Sequence, residues 1–231
     1  MAFPDYVYKF GVQCSLSFKN ISNVMAIKTL EIGALGIQHE GWLESYYPED
    51  LPEDWRLDYY SHHFNVALLP VDEWLSVTED DLAQWTEDVK DEFQFLLAID
   101  NKDINTAAIE QISLIKTILK EHFSGVVVKV SDENLTTELQ TLREISPVFA
   151  DGVKLSGSDL ATCWRKQASI ENSVLGFITE QDAGNLREVR ACVEAFLAQC
   201  QEHGTCYLIF EGASPSTKMM QDTQVVIQML T

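Results

Sequence analysis

The run Gly125-Val-Val-Val-Lys-Val130 is almost continuously apolar and rich in β-branched residues. Near the end of the chain, Cys206-Tyr-Leu-Ile-Phe210 has the same character. Such runs are typical of strands that are buried on both faces, as in a parallel sheet covered by helices. The two runs therefore predict an α/β protein, and the rest of the chain can be organised around them.

Similar runs recur along the chain and alternate with amphipathic stretches, a pattern that predicts parallel strands joined by crossover helices. The predicted strands are Thr29–Leu35, Asn65–Leu69, Phe93–Ile99, Gly125–Val130, Ala150–Leu155, Ser173–Thr179 and Thr205–Glu211. The predicted helices are Leu51–His63, Asp80–Val89, Asn105–His122, Asn134–Ile145, Ala183–His203 and Ser216–Met229. Thr78 and Asn105 are expected to act as N-caps, because their side chains can accept hydrogen bonds from the first helical turn.

The length favours a single domain over residues 1–231, because 231 residues of which 46% are hydrophobic can bury one large core. Residues 1–28 are interpreted as an N-terminal extension packed on that core. The segment Leu160–Asn172 shows no clear strand where an eighth would be expected. A barrel built from these elements is therefore predicted to have about seven recognisable strands and to be incomplete.

The charge balance makes two classes of partner poor candidates. The 16 basic and 36 acidic residues give a formal net charge of −20, and such a surface repels nucleic acid and anionic membranes. It would attract cations or a basic protein. The five cysteines lack C-x-x-C spacing, which argues against structural zinc and favours a reducing compartment. We expect a cytoplasmic protein, because no apolar stretch approaches the ~18 residues that a membrane helix needs.

A series of aromatic, glycine and proline residues in the first hundred positions carries a family resemblance. The series is Ile32-Gly-Ala-Leu-Gly36, Trp42, Tyr46-Tyr-Pro-Glu-Asp-Leu-Pro52, Trp55, Tyr59-Tyr60, Phe64-Asn-Val66, Leu82-Ala-Gln-Trp85 and Phe93-Gln-Phe95. Its order and spacing resemble the opening of the domain-of-unknown-function-72 (DUF72, YecE-like) family. The resemblance implies a TIM-barrel-like (β/α) barrel and little specific biochemistry, and it implies that most of these aromatic residues pack loops against helices.

The chain departs from the family pattern at strand positions that are polar in the family. By position, those polar residues correspond here to Leu68, Pro70, Ala98, Gly176 and Ile178. Enzymes with this fold place catalytic groups at the carboxyl ends of the strands. The resemblance therefore implies a divergent, shortened and degenerate family member.

Most polar residues that remain at the predicted strand ends are acids. They are His39, Glu40, Asp72, Glu73, Asp100, Asp132, Glu180, Asp182 and Glu211. Carboxylates that converge with one histidine could bind a divalent cation through oxygen ligands. Helix caps and helix dipoles also favour acids at these positions, so a purely structural role is the alternative.

Ser156 belongs to the turn Ser156-Gly-Ser-Asp159, which could present backbone N–H groups to an anion. An ordinary turn and helix cap would account for the same residues. The glycines of Ile32-Gly-Ala-Leu-Gly36 are not followed by the lysine of a phosphate loop, so they do not predict a nucleotide site. Ser156 thus joins His39, Glu40, Asp72, Asp100 and Glu211 as a candidate binding residue.

Two functions remain open at the level of sequence. The first is a non-catalytic scaffold or protein-interaction module, which predicts an interface patch and a barrel mouth filled by apolar side chains such as Leu68 and Pro70. The second is a metal-dependent hydrolase-like enzyme with a rebuilt acidic site at the carboxyl face of the barrel, in which Glu40, Asp72, Asp100 and Glu211 would converge. Neither substrate, partner nor oligomeric state follows from the sequence.

Overall fold

Apolar runs of the sequence form eight strands, and amphipathic segments between them form the covering helices. The computed structural model describes residues 29–131, 136–153, 160–166, 173–200 and 204–230. The predicted N-terminal extension, residues 1–28, lies outside these ranges. The strands are β1 (Thr29–Leu35), β2 (Val66–Leu69), β3 (Gln94–Asp100), β4 (Phe123–Val130), β5 (Val148–Gly152), β6 (Ala161–Thr162), β7 (Leu175–Thr179) and β8 (Thr205–Glu211).

The strands form one parallel sheet in the order β6-β5-β4-β3-β2-β1-β8-β7. An isolated parallel bridge between Trp164 and Gly176 brings the chain after β6 alongside β7. There the Trp164 N–H donates to Leu175 O at 2.7 Å, and the Phe177 N–H donates to Trp164 O at 3.0 Å. The sheet is therefore a nearly closed, TIM-barrel-like barrel. Strand β6 lies in the segment for which no strand was predicted, and its two residues are too few to produce a sequence pattern.

The helices of the described residues lie outside the barrel, and six of the eight occur close to predicted positions. They are α1 (Trp42–Ser45), α2 (Arg56–Ser61), α3 (Val71–Trp74), α4 (Glu79–Asp88), α5 (Thr106–Leu119), α6 (Thr137–Ile145), α7 (Leu186–Gln199) and α8 (Thr217–Leu230). Single turns of 3₁₀ helix cover Glu53–Trp55, Asn101–Asp103 and Lys120–His122. The short helices α1 and α3 were not predicted. In the described ranges, none of the helices has the length and apolar character needed to cross a bilayer.

Both predicted N-caps are confirmed. Thr78 and Asp81 form a reciprocal capping box at the start of α4, in which the Asp81 N–H donates to Thr78 Oγ1 at 3.2 Å and the Thr78 N–H donates to Asp81 Oδ2 at 2.8 Å. Asn105 Oδ1 accepts the N–H of Ala108 at 3.0 Å at the start of α5. Each cap satisfies a backbone donor that the helix itself leaves without a partner.

Alternation along the strands divides the core into two clusters. One set of side chains, exemplified by Val66, Leu96 and Ile209, fills the interior of the barrel. The other set, exemplified by Ala67 and Leu97, faces the helices and forms the larger cluster. The barrel interior is therefore a packed core, and open space can exist only at its ends.

Strands β1 and β2 are joined through a tyrosine as well as through their own ladder. The Ala34 N–H donates to Tyr60 Oη at 2.9 Å, and Tyr60 Oη donates to Val66 O at 2.9 Å. Gly33 pairs with Val66 in the register, and a Cβ at Gly33 would collide with the Val66 carbonyl oxygen. The glycine of the first strand is thus required by this close approach, which explains one residue of the sequence signature.

Candidate functional site

A cavity of about 320 Å³ lies at the carboxyl ends of the strands, in the mouth of the barrel. The apolar residues of its lining come mainly from β1 to β4 and β7. They are Leu35, Leu68, Pro70, Val71, Ala98, Ile99, Val127 and Phe177. The charged residues of the lining come from β3, the turn after it, β4, β5, the segment after β6, and β8. They are Asp100, Asp103, Lys129, Asp151, Arg165 and Glu211.

Arg165 is the centre of an ion-pair triad with Asp151 and Glu211. Its Nε donates to Asp151 Oδ1 at 2.7 Å and its Nη2 donates to Asp151 Oδ2 at 2.8 Å. On the other edge of the guanidinium, Nη1 donates to Glu211 Oε1 at 2.6 Å and Nη2 donates to Glu211 Oε2 at 3.1 Å. Both contacts are bidentate, the geometry in which arginine binds a carboxylate most strongly. The triad links the ends of β5 and β8 at the mouth, across the positions of β6 and β7.

The environment of the triad fixes the arginine further. The Arg165 guanidinium carbon lies 4.5 Å from the centre of the Phe177 ring. Hydrogen bonding to Asp151, opposed by burial and aided by Glu211, raises the pKa of Arg165 above its ordinary value. The side chains of Asp151 and Glu211 are 9% and 23% exposed, against 35% for Arg165. The two carboxylates therefore share a single counter-charge, which comes from a cation that stays charged.

The charged residues of the mouth alternate in sign along the sheet. Asp100 on β3 is the register partner of Lys129 on β4, and Lys129 is the register partner of Asp151 on β5. Arg165 follows in the segment after β6, and Glu211 ends β8. Neighbouring residues in register on a parallel sheet point to the same face. Strand register thus sets the order negative, positive, negative at Asp100, Lys129 and Asp151.

Two of the six candidate binding residues named from the sequence line this cavity, and they are Asp100 and Glu211. Both end a strand, as predicted. The Asp100 carboxylate lies 3.6 Å from Lys102 Nζ in a largely exposed pair. Glu211 belongs to the triad. Sequence reasoning therefore found part of the mouth through the rule that strand ends carry functional groups.

His39 and Glu40 lie in the loop after β1 and are absent from the lining of the mouth cavity. His39 Nδ1 is 3.1 Å from Ala213 O, and its ring packs against Trp42 at a centroid distance of 4.4 Å. Burial lowers the pKa of His39, although hydrogen bonding to Ala213 opposes this effect. Glu40 is exposed. His39 therefore connects the loop after β1 to the segment after β8 and does not line the cavity with Asp100 and Glu211.

Asp72 and Glu73 lie at the start of α3 and line a second, exterior groove of about 630 Å³. Glu73 Oε1 accepts the N–H groups of Ile37 and Gln38 at 3.1 and 3.2 Å, so it holds the loop after β1. Burial raises the pKa of Glu73 to about 7 although these two backbone hydrogen bonds lower it. Asp72 is exposed beside it. Glu73 thus clamps the loop after β1 outside the barrel, and both acids lie apart from the lining of the mouth.

The remaining candidates have separate positions. Ser156 and Asp132 lie outside the described residues. Asp182 is bound locally, since it accepts a hydrogen bond from Thr179 Oγ1 at 2.7 Å and lies 3.1 Å from Lys166 Nζ. Glu180 lines a shallow extension of the mouth together with Glu211. Within the described ranges, no group of three His, Cys, Asp or Glu side chains is arranged to hold a metal ion.

Two expectations about the mouth need correction. The prediction that apolar side chains fill the mouth is wrong, because the cavity remains there although Leu68, Pro70 and Ala98 line it. Ile178 was expected to replace a polar residue of the mouth, but it is buried in the cluster that faces the helices. Alternation along β7 turns its neighbour Phe177 toward the cavity instead.

Comparison with protein families gives one match. Residues 31–106 match the family described as "Protein of unknown function DUF72". The predicted resemblance to the DUF72 family is confirmed over these residues. Comparison with the curated proteins gives no match.

Solved structures of DUF72 proteins share the fold. A DUF72 family protein from Thermotoga maritima superposes with a TM-score of 0.64 at 12% identity, over 87% of this chain and 99% of that chain. Two structures of a DUF72 family protein from Enterococcus faecalis give TM-scores of 0.55 and 0.57 at 12% and 11% identity. They cover 87% and 88% of this chain and 96% and 99% of theirs. At these identities the likeness shows the fold, and the chemistry must be argued from the residues of this chain.

The DUF72 match ends before Lys129, Asp151 and Arg165, which sequence reasoning missed as site residues. A signal existed for Asp151, because it lies in a predicted strand two positions after Phe149 and therefore on the same face. Lys129 interrupts the apolar run of β4 and could have been flagged for that reason. Arg165 had no such signal, since its segment shows no strand pattern and its position is set by the bridge from Trp164 to Gly176.

Proposed function

We propose that the chain is a non-catalytic barrel that acts as a binding or scaffold module, with its mouth as the binding site. The observation that carries the proposal is the Asp151–Arg165–Glu211 triad. Its four hydrogen bonds engage both oxygens of both carboxylates with one guanidinium. Asp151, Arg165 and Glu211 are thus engaged with one another, and their contacts link separate parts of the barrel.

Acid–base catalysis needs a carboxyl group within hydrogen-bond reach of substrate and free to exchange a proton. Asp151 and Glu211 instead direct their oxygens at Arg165, whose own pKa is raised by them. An arginine in two bidentate pairs is also poorly available to clamp an anionic substrate. These contacts support binding without chemistry at the triad.

A second candidate function, a metal-dependent hydrolase, is favoured by one observation. Four carboxylates, those of Asp100, Asp103, Asp151 and Glu211, line one cavity. Hard divalent cations take six or more oxygen ligands, several of them carboxylates. Arg165 opposes this use, because a metal ion at Asp151 or Glu211 would have to displace a guanidinium that is held in four hydrogen bonds.

Thermal unfolding in a chelator and then in Mg²⁺, Mn²⁺, Ca²⁺ or Zn²⁺ tests the choice. A ligand at ~100 times its dissociation constant stabilises by about 2.7 kcal/mol, and each kcal/mol moves the midpoint by roughly 2–4 °C at this size. The proposal predicts no metal-dependent rise for the unsubstituted protein. A metal-dependent rise of several degrees in the unfolding midpoint, lost in Glu211→Gln and kept in Glu40→Gln, would contradict the proposal. It would favour the metal-dependent hydrolase instead.

We further propose a cytoplasmic location and a partner that is neither nucleic acid nor a membrane. Four cysteines, Cys163, Cys192, Cys200 and Cys206, are buried, and Cys163 and Cys192 are free thiols, as expected for cysteines kept reduced. The formal charge of −20 opposes binding to phosphate-rich surfaces. A protein partner would therefore present a basic surface.

A further inference from the structure

The mouth cavity combines an apolar floor with charges of both signs. Leu68, Val127 and Phe177 supply apolar surface in the barrel interior below the rim. At about 320 Å³ the cavity is at the lower end of the range for small-molecule sites, roughly 300–1,000 Å³. Its occupant must therefore be small and must carry an apolar group.

Three charged groups of the rim are left for a ligand once the triad is formed. Lys129 is exposed and has no ion-pair partner among the described residues, although its register partners are Asp100 and Asp151. Asp100 makes only the 3.6 Å contact with Lys102, whose side chain is 74% exposed against 40% for Asp100. Asp103 lines the same cavity and is exposed. One cation and two carboxylates outside the triad thus line the same cavity.

We propose that the mouth binds a small zwitterion of the α-amino-acid type with an apolar side chain. The ligand carboxylate would bind Lys129, its ammonium would bind Asp100 and Asp103, and its side chain would lie on Leu68, Val127 and Phe177. This inference rests on the proposed function, in which the triad is a wall of the site and the mouth is the site of binding.

The charges of the lining exclude simpler ligands. Four carboxylates against two cations leave a formal excess of two negative charges, which disfavours a plain anion. A plain amine would satisfy the aspartates but would leave the Lys129 ammonium beside a like charge, with a cost in Coulomb energy. Only a ligand with both charges matches the order of signs around the rim.

Binding of L-phenylalanine and L-leucine, followed by calorimetry and ligand-observed NMR, tests this proposal. Phenethylamine lacks the carboxylate, 3-phenylpropionate lacks the ammonium, and glycine lacks the apolar side chain. Each analogue should bind at least about tenfold more weakly, because each loses a charge-assisted hydrogen bond or the apolar contact. Lys129→Met and Asp100→Asn should weaken L-phenylalanine similarly, whereas Glu40→Gln, in the exposed loop after β1, should leave its affinity unchanged.

Two results would overturn the zwitterion site. One is the absence of binding by both amino acids to protein that retains its unfolding transition. The other is equal binding of phenethylamine, which would identify an amine site. A different result would contradict the proposed non-catalytic function. That result is the appearance of a new product in the NMR spectrum after incubation of the protein with a bound amino acid. Binding without conversion supports both proposals.

Discussion

The two halves of the barrel differ in where their distinctive residues lie. In residues 29–106 the distinctive residues are aromatic and pack outside the strands, and the mouth positions Leu35 and Pro70 are apolar. This region gives the mouth two charged residues, Asp100 and Asp103, and the rest of the barrel gives it Lys129, Asp151, Arg165 and Glu211. The first half supplies the family signature, and the second half supplies both cations of the mouth and the whole triad. A sequence signature can thus report packing while these charged residues lie elsewhere.

The aromatic cluster of the first half explains why its residues form a recognisable pattern. Trp42 is 1% exposed, stacks on Tyr60 at a centroid distance of 5.9 Å and donates from Nε1 to Pro215 O at 2.7 Å. Trp55 belongs to the same series but is 59% exposed. Large side chains with fixed partners tolerate few replacements, so their spacing is visible in the sequence.

The largest expected effect tests whether this signature is structural. Trp42→Ala should lower the free energy of unfolding by about 3–5 kcal/mol, because it removes a fully buried indole and its hydrogen bond. Trp55→Ala, an equal truncation at an exposed site, should change it by less than about 0.5 kcal/mol. Denaturant unfolding of both variants measures the difference. If both variants lost the same free energy of unfolding, the structural interpretation of the signature would be contradicted, because the two tryptophans differ in exposure.

The second-largest expected effect concerns the contribution of the triad to stability, in the second half of the barrel. Arg165→Met should lower the free energy of unfolding by about 2–3 kcal/mol, because two carboxylates lose their counter-charge. The value is set below the ~3–5 kcal/mol of a fully buried pair because the arginine is 35% exposed. Arg190→Met, which breaks an exposed pair with Glu194 on α7, is the matched control and should change stability by less than about 1 kcal/mol. If Arg165→Met had the same free energy of unfolding as the unsubstituted protein, the structural role of the triad would be contradicted.

The smallest effect concerns pH and lies in the first half. The pKa of Glu73 is raised by burial to about 7 in the folded protein, against 4.5 as its ordinary value. Folded protein therefore binds the proton more tightly, and stability falls as pH rises from 4.5 toward 7. Allowing for partial exposure, we expect a loss of about 1–2 kcal/mol across this window.

Glu73→Gln should remove that slope, since the amide oxygen can still accept the N–H groups of Ile37 and Gln38 but cannot ionise. The neighbouring substitution Asp72→Asn, at an exposed site, should leave the slope in place. Urea unfolding at several pH values measures it for each protein. A slope that persists in Glu73→Gln would assign the pH dependence to another group.

The strand and helix pattern was predictable wherever elements were long and bounded by caps. Strands β1 and β8 have their predicted bounds, and the caps at Thr78 and Asn105 act as expected. Short elements were not predictable, because the two residues of β6 and the single turns of α1 and α3 contain too little periodicity. Their conformation is set by neighbours that are distant in sequence.

The candidate site shows the same division. Strand ends identified Asp100 and Glu211, since that rule needs only the strand boundaries. The same rule grouped them with His39, Glu40 and Asp72, which lie outside the lining of the mouth cavity. Whether an acid turns inward or outward depends on loop geometry after the strand, and the sequence does not contain that information in a local form.

Sequence alone determined the α/β class, the family resemblance and most elements, because hydrophobic periodicity and capping are local properties of the chain. Tertiary structure alone decided that Arg165 meets Asp151 and Glu211, which lie 14 and 46 residues away. It also decided that Lys129 stands beside Asp100. Those contacts arise from parallel register and barrel closure, which bring distant strands together and have no counterpart in local sequence.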